Sequence, residues 1–395
     1  MNALKTPTNL LIAMAFIMAM TFSVWNVLLN NFVVEKAAFT GKEIGILQSL
    51  REVPGFLAFT AIYLLLWIRE QSFAILFLAL MCIGVAVTGW FPSEWGLYLT
   101  TVVMSIGFHY FETVNQSLTL QWVDKDKSAQ FLGRVLAWKG AASLIAYATV
   151  WFVMEWLGAD YNAVYMLFGF FGLGAVLFLW LSFPSFDSPH VQTRQLILRQ
   201  RYWLYYGLTF LSGARRQIFI VFAGFMMVEK FGYSVGEVSL LFIVNYAFNM
   251  LFATKIGAWI GRVGERRALT VEYMGLAIVF TSYAFVENAQ MAGALYVIDH
   301  LFFAMAIAIK TYFQKIADPQ DIASTAGVSF TINHIAAVII PAALGLVWLY
   351  SPTVVFLFGT VLALSSLVLS RFIPSAPEPG NEVRFFRTKH AQDVA

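Results

Sequence analysis

Residues 9–34 read NLLIAMAFIMAMTFSVWNVLLNNFVV. A helix that crosses the hydrocarbon of a bilayer needs about 20 apolar residues, and this run supplies them. Core helices of water-soluble proteins seldom need such a run. Asn26, Asn30 and Asn31 gather near its far end, and no small-residue cleavage site is present, so it reads as a retained helix and not a signal peptide.

Outward from this run, similar stretches recur near 44–67, 72–91, 96–122, 133–156 and 162–183, then near 202–228, 235–260, 268–286, 291–316, 322–349 and 352–373. The reading is an all-α integral membrane protein with about twelve transmembrane helices. Composition agrees, with 60% hydrophobic and 12% charged residues, against roughly a half and a quarter in soluble domains. The net charge of +3 is too small to argue for nucleic acid. Cys82 is the only cysteine, which excludes an internal disulfide framework and a cysteine metal cluster.

Positively charged loops stay in the cytoplasm. Placing both termini inside puts Lys5, Arg69, Lys125, Lys127, Arg134, Arg194, Arg199, Arg201, Arg262, Arg266, Arg267, Lys315, Arg371, Arg384, Arg387 and Lys389 on that side, and only Lys36, Lys42 and Lys230 outside. The count is 16 against 3, so orientation and an even helix number support each other. The longest polar break, 184–201, separates six helices from six. The expected organisation is an N-terminal bundle (1–183), a cytoplasmic linker (184–201), a C-terminal bundle (202–373) and a cytoplasmic tail (374–395). A shift of 194 residues pairs Thr40 with Ser234, Glu43 with Glu237 and Leu47 with Leu241, and also Asp124 with Asp318, Ala129 with Ala323 and Gly133 with Gly327. Two places sharing one offset point to duplicated six-helix units.

Between the eighth and ninth spans lies Gly257-Ala258-Trp259-Ile260-Gly261-Arg262-Val263-Gly264-Glu265-Arg266-Arg267. With the duplicated architecture, this loop resembles the cytoplasmic motif of the major facilitator superfamily, and the resemblance covers residues 5–373. Gly261 stands where that motif has an aspartate, and the first-half loop Trp67-Ile68-Arg69-Glu70-Gln71 keeps almost none of it. The resemblance implies a secondary active transporter working by alternating access, with helices one, four, seven and ten lining a central cavity. It assigns Gly257, Arg262, Gly264, Arg266 and Arg267 to a cytoplasmic gate. The fifth span reads Lys139-Gly140-Ala141-Ala142-Ser143 and lacks the glycine-proline signature of many proton-coupled drug exporters.

Charges deep in a membrane must be paired or face water, so ionisable residues there are functional candidates. Lys139, Lys255 and Lys310 sit close enough to helix ends for their stems to snorkel, and read as anchors. The deeper set is Arg51 and Glu52, followed by Pro54 and Gly55; His109, Glu112 and Gln116 on one face of the fourth span; Arg215 and Arg216 in the seventh; and Asp299 and His300 in the tenth. Adjacent Arg215 and Arg216 point about 100° apart, so one is expected to pair with Glu112 or Asp299 while the other faces a ligand. Arginine suits a planar carboxylate or phosphate. The candidate substrate site is therefore Arg51, Arg215, Arg216, Asn26, Asn30, Asp299 and His300, for a small organic or phosphorylated anion. His109 with Glu112 reads as a proton-coupling site, because histidine titrates near neutral pH.

The expected partners are a small-molecule substrate, protons and lipid, with no nucleic acid, no cofactor and a monomeric state, in the inner membrane of the cell. Two other readings are weighed. Efflux of drug-like or amphipathic compounds would suit the 38 phenylalanines, 16 tyrosines and 12 tryptophans, although such residues also populate lipid-facing and interfacial positions. An intramembrane metalloenzyme would use His109, Glu112, Asp299 and His300 as ligands, but these match no known strong metal signature. Reporter fusions at the C-terminus and near residue 190 should both locate to the cytoplasm. An external signal from either would overturn the charge argument and the twelve-helix count.

Overall fold

The computed structural model describes residues 5–123, 125–186, 198–318 and 321–384. Twelve successive helices follow the spans read from sequence: α1 (Pro7–Ala37), α2 (Gly41–Phe56), α3 (Glu70–Thr88), α4 (Glu94–Trp122), α5 (Lys125–Glu155), α6 (Tyr161–Ser182), α7 (Trp203–Ile218), α8 (Val235–Val263), α9 (Glu265–Phe285), α10 (Ala289–Phe303), α11 (Ile322–Trp348) and α12 (Pro352–Ser370). Short irregular turns extend three of them. α2 passes through Ala58–Thr60 into Ala61–Leu64, α7 through a π-helical turn Phe219–Ala223 into Gly224–Glu229, and α10 through Ala304–Ala306 into Ile307–Ile316. The break in α2 follows Pro54 and Gly55, where the sequence permits a bend.

Among the described residues, ten stretches are long and apolar enough to cross a membrane. The other two helices, α2 and α4, are those that carry Arg51, Glu52, His109 and Glu112. α2 falls short in length, at 16 residues before its break.

The paired residues at the first repeat position have a physical reason. Thr40 precedes α2, where its backbone N–H donates to Glu43 Oε2 at 2.9 Å and its hydroxyl accepts from the Lys42 N–H at 3.3 Å. Ser234 precedes α8 in the same way: its N–H donates to Glu237 Oε2 at 2.8 Å, and the Glu237 N–H donates to Ser234 Oγ at 3.2 Å. Both are reciprocal capping boxes, which satisfy first-turn N–H groups that a helix leaves orphaned. Of the second repeat position, Asp124 lies outside the described residues.

The chain forms two compact units, Met1–Thr193 with Val228–Tyr246, and Arg194–Met227 with Ala247–Ala395. Within the first, α3 packs on α4 and α6, α1 on α5 and α6, and α2 on α4. Within the second, α9 packs on α10 and α12, and α7 on α11 and α12. Apart from the α2 contact, advancing each helix number by six converts one list into the other. The α3–α4 crossing is close because a Cβ at Gly84 would stand 2.6 Å from Met104 Cα, so only glycine fits there. Val228–Tyr246 joins the first unit through Asn31 Nδ2 donating to Tyr233 O at 2.7 Å, the Gly236 N–H donating to Glu155 Oε1 at 2.9 Å, and Tyr147 packed on Phe242 and Tyr246.

Residues 187–197 of the expected linker, with Arg194, lie outside the described residues, as do 385–395 with Arg387 and Lys389. The linker's two ends are tied down. Gln71 at the start of α3 donates to Pro184 O at 3.0 Å and accepts from the Phe186 N–H at 2.8 Å. At the other end Arg199 and Arg201 each reach Asp321 at 3.1 Å, Tyr202 donates its hydroxyl to the same carboxylate at 3.1 Å, and Arg201 also bonds Asp318. The start of the tail packs on the second unit, where Val383 is buried, Tyr312 donates to Glu382 O at 2.6 Å, and the Arg384 N–H donates to Phe372 O at 2.8 Å.

Bonding to Arg199, reinforced by Tyr202 and Arg201 against the opposing effect of burial, holds the Asp321 carboxyl below its ordinary range. A carboxyl whose folded-state value is depressed stabilises the fold above its unfolded value, and loses that contribution as pH falls through the depressed one. Asp321→Asn should therefore lower the thermal unfolding temperature at neutral pH, and the gap from the parent should close on acidification. A gap that stays constant with pH would remove Asp321 as an ionic anchor.

Candidate functional site

In the first unit, Asn26 is half-buried and Asn30 buried, one turn apart on α1. Arg51 and Glu52 are both buried on α2 and form an ion pair with each other at 2.5 Å, while the Ser105 hydroxyl donates to Arg51 O. Neighbours on a helix diverge by about 100°, so the two side chains bend back to meet. His109 is buried on α4 with its ring edge-on to Phe108, and its backbone carbonyl accepts from the Thr113 hydroxyl at 2.8 Å. Glu112 is half-buried and accepts from Lys139 Nζ on α5 at 2.5 Å, and Gln116 is exposed.

One expectation changes here. Lys139 is not a snorkelling anchor; it is the counter-charge of Glu112. Lys255 and Lys310 are exposed, Lys255 with its ammonium 5.2 Å from the Phe252 ring centre.

In the second unit the two adjacent arginines separate. Arg215 is fully enclosed, with Nη2 at 3.6 Å from Glu272 Oε1 on α9, a hydrogen bond to Ser366 on α12, and its guanidinium carbon 4.5 Å from the Tyr273 ring centre. Arg216 is exposed. Asp299 is also fully enclosed and lies within electrostatic reach of Arg215 and Glu272. His300 is half-buried, its Nδ1 at 3.1 Å from Tyr296 O, its ring against Phe219 and Tyr296, and within electrostatic reach of Arg216. Arg215 and Asp299 thus gather in one enclosed cluster, and Arg216 with His300 in a more accessible one.

Glu272 escaped the sequence reading because it stands near the start of the ninth span as drawn from hydropathy. α9 begins at Glu265, so Glu272 lies two turns inside it. A count of acids as well as bases within each span would have found it.

The motif Gly257–Arg267 forms the turn between α8 and α9, where Gly264 adopts φ +82°, a conformation that favours glycine. Glu265 is buried and ion-paired with Lys315 at 2.7 Å. Arg262 and Arg267 are exposed and Arg266 half-buried. Arg266, Arg267 and Arg371 line an open groove of about 810 Å³ with Trp259 and Ser375.

The family model for the Major Facilitator Superfamily matches residues 10–341 and 205–392. The chain belongs to the major facilitator superfamily. It is a multi-pass membrane transporter and not an enzyme, which answers the metalloenzyme alternative. An uncharacterised MFS-type transporter of Methanocaldococcus jannaschii is 27% identical over 136 residues, which are 34% of this chain and 34% of that protein. The match therefore spans about a third of that relative's length. Among solved structures, a mutant form of the nucleoside transporter NupG superposes with a TM-score of 0.77 at 15% identity, covering 93% of this chain and 99% of that one. A bacterial homologue of the human lysosomal transporter Spinster, in an inward-facing and occupied conformation, superposes with a TM-score of 0.69 at 15% identity, covering 92% and 95%. At such identity these likenesses establish the fold alone.

If Lys139 and Glu112 are a structural pair, each single neutralisation leaves a charge without its partner. Lys139→Met and Glu112→Gln should each lower the unfolding temperature, and the double variant should recover most of the loss. Additive losses would show that the pair carries no coupling.

Proposed function

We propose that the chain is a secondary active transporter that moves a small organic or phosphorylated anion across the cell's inner membrane, with both termini cytoplasmic and the proton gradient as driving force. The observation that carries this reading is the exposure of Arg216 in the middle of a membrane-spanning helix. A guanidinium at that depth cannot face hydrocarbon without a penalty of at least a few kcal/mol. It faces an aqueous path. Arg215, its enclosed neighbour, is excluded from ligand contact by Glu272, Ser366 and Tyr273, so the substrate role falls to Arg216 with His300 beside it.

In the first unit, Asn26 is accessible enough to bond a ligand, and Arg51 is the second candidate cation, already balanced by Glu52. His109 and Glu112 support proton movement, because protonating Glu112 would release Lys139. The Gly257–Arg267 turn serves as the cytoplasmic gate, supported by the exposed Arg262 and Arg267 and by the groove that Arg266 and Arg267 line with Arg371.

Arg216→Lys keeps the charge but loses the planar fork that grips a carboxylate or phosphate at two points. In proteoliposomes, uptake of a substrate found by screening organic acids and sugar phosphates should fall about tenfold or more, equivalent to about 1.4 kcal/mol of binding. Arg216→Gln should fall at least as far, with the unfolding temperature unchanged in both. Full activity of Arg216→Lys would remove the anion reading.

A further inference from the structure

We infer that Glu272 and Asp299, enclosed with Arg215 inside the second unit, hold one proton between them, and that this proton is exchanged during transport. The inference rests on the proton-driven reading above for its role, but its geometry stands apart from it. Arg215, Glu272 and Asp299 come from three helices, α7, α9 and α10, and each is fully enclosed. The sum is one cation against two carboxyl groups.

Among the described residues of the second unit, the neighbouring helices supply no second buried cation. α12 contributes Ser366 and has no ionisable residue along Pro352–Ser370. α11 carries one ionisable residue, His334, whose Nδ1 lies 2.9 Å from Phe330 O in its own helix. On α9 the neighbour is Tyr273, which stacks on the guanidinium. On α10 it is His300, directed to Tyr296 O, and on α7 it is Arg216, which is exposed. Glu265 and Lys315 are occupied with each other.

Hydrogen bonding tells the same story. Both oxygens of Asp299, both oxygens of Glu272 and the Tyr273 hydroxyl have no hydrogen-bond partner among the described residues. Two ionised carboxylates in that setting would leave a net negative charge among fully buried groups, an arrangement that is strongly disfavoured. One proton removes the net charge and converts an acceptor-only group into a donor. The step is a simple association, carboxylate plus proton giving carboxylic acid, with no electron transfer. A metal ion fits less well, because the guanidinium repels it and supplies no ligand oxygen.

The cluster also adjoins the proposed substrate contact. Arg215 and Arg216 are consecutive on α7, and the π-helical turn Phe219–Ala223 begins three residues later. Wider turns of this kind occur often at functional sites. Substrate engaging Arg216 would turn the same helix segment that holds Arg215 against the acids, and so open a path for the proton.

The test uses full-length protein and the infrared carbonyl band of a protonated carboxylic acid, with Glu272→Gln, Asp299→Asn and the double variant. The expected result is a band in the parent that disappears in each single variant, because the remaining acid ionises against Arg215. Glu112→Gln, in the first unit, should leave it in place. Single variants should unfold near the parent temperature, whereas the double variant strands Arg215 and should be clearly less stable. In proteoliposomes the single variants should exchange substrate but no longer accumulate it against a gradient. A band that survives both single substitutions, or single variants as unstable as the double, would overturn the proton site. Parent uptake that ignores the proton gradient, with the band still lost in the single variants, would sink the proton-driven reading and leave the site standing.

Discussion

A charge within a bilayer must find a counter-charge or water, and this requirement organises the functional half of the molecule. Arg51 meets Glu52, Lys139 meets Glu112, Arg215 meets Glu272, and Lys315 meets Glu265. The last three pairs join residues of different helical segments. Charged residues that could not be tolerated singly thereby select which helix faces turn inward. Arg216, by contrast with its enclosed neighbour Arg215, is exposed at mid-span.

The duplicated scaffold explains how such residues are positioned with so little sequence likeness between the halves. Helices three, four and six of the first unit pack as helices nine, ten and twelve do in the second, and helices one, five and six as seven, eleven and twelve. What survives of the repeat in sequence is concentrated where backbone chemistry is strict. Thr40 with Glu43 and Ser234 with Glu237 cap corresponding helices, and a cap accepts few residue types. Lipid-facing positions accept almost any apolar residue, so the repeat fades along them.

Asymmetry between the halves then carries the chemistry. The enclosed cluster of the second unit, Arg215 with Glu272 and Asp299, has no counterpart of equal enclosure among the pairs of the first, where Glu112 and Lys139 remain half-buried. A transporter that couples two events gains from placing an accessible ion pair in one unit and a sealed, charge-imbalanced cluster in the other. The continuity of Arg215 and Arg216 along one helix would give the proposed ligand contact and the proposed proton release a short mechanical link.

Whereas the boundary between the two units, which passes through α8, came from the structure, the sequence by itself determined the solvent, the number and order of helices and the family. Each depends on local pattern: runs of apolar residues near 20 in length, the bias of lysine and arginine, the capping residues and the Gly257–Arg267 turn. It also drew attention to Arg51, Glu52, Glu112, Arg215 and Asp299, which the structure shows buried or ion-paired. Only the tertiary structure decided their partners. Lys139 reads as an anchor along the chain and becomes the partner of Glu112 because α4 and α5 bring them to 2.5 Å. Glu272 drew no notice beside Asp299, yet it is the acid that meets Arg215. Arg215 and Arg216 are indistinguishable in sequence, and one residue of helical rotation encloses the first and exposes the second. Pairing is a property of helix faces and crossings, which depend on contacts between segments far apart in the chain, and no local pattern records it.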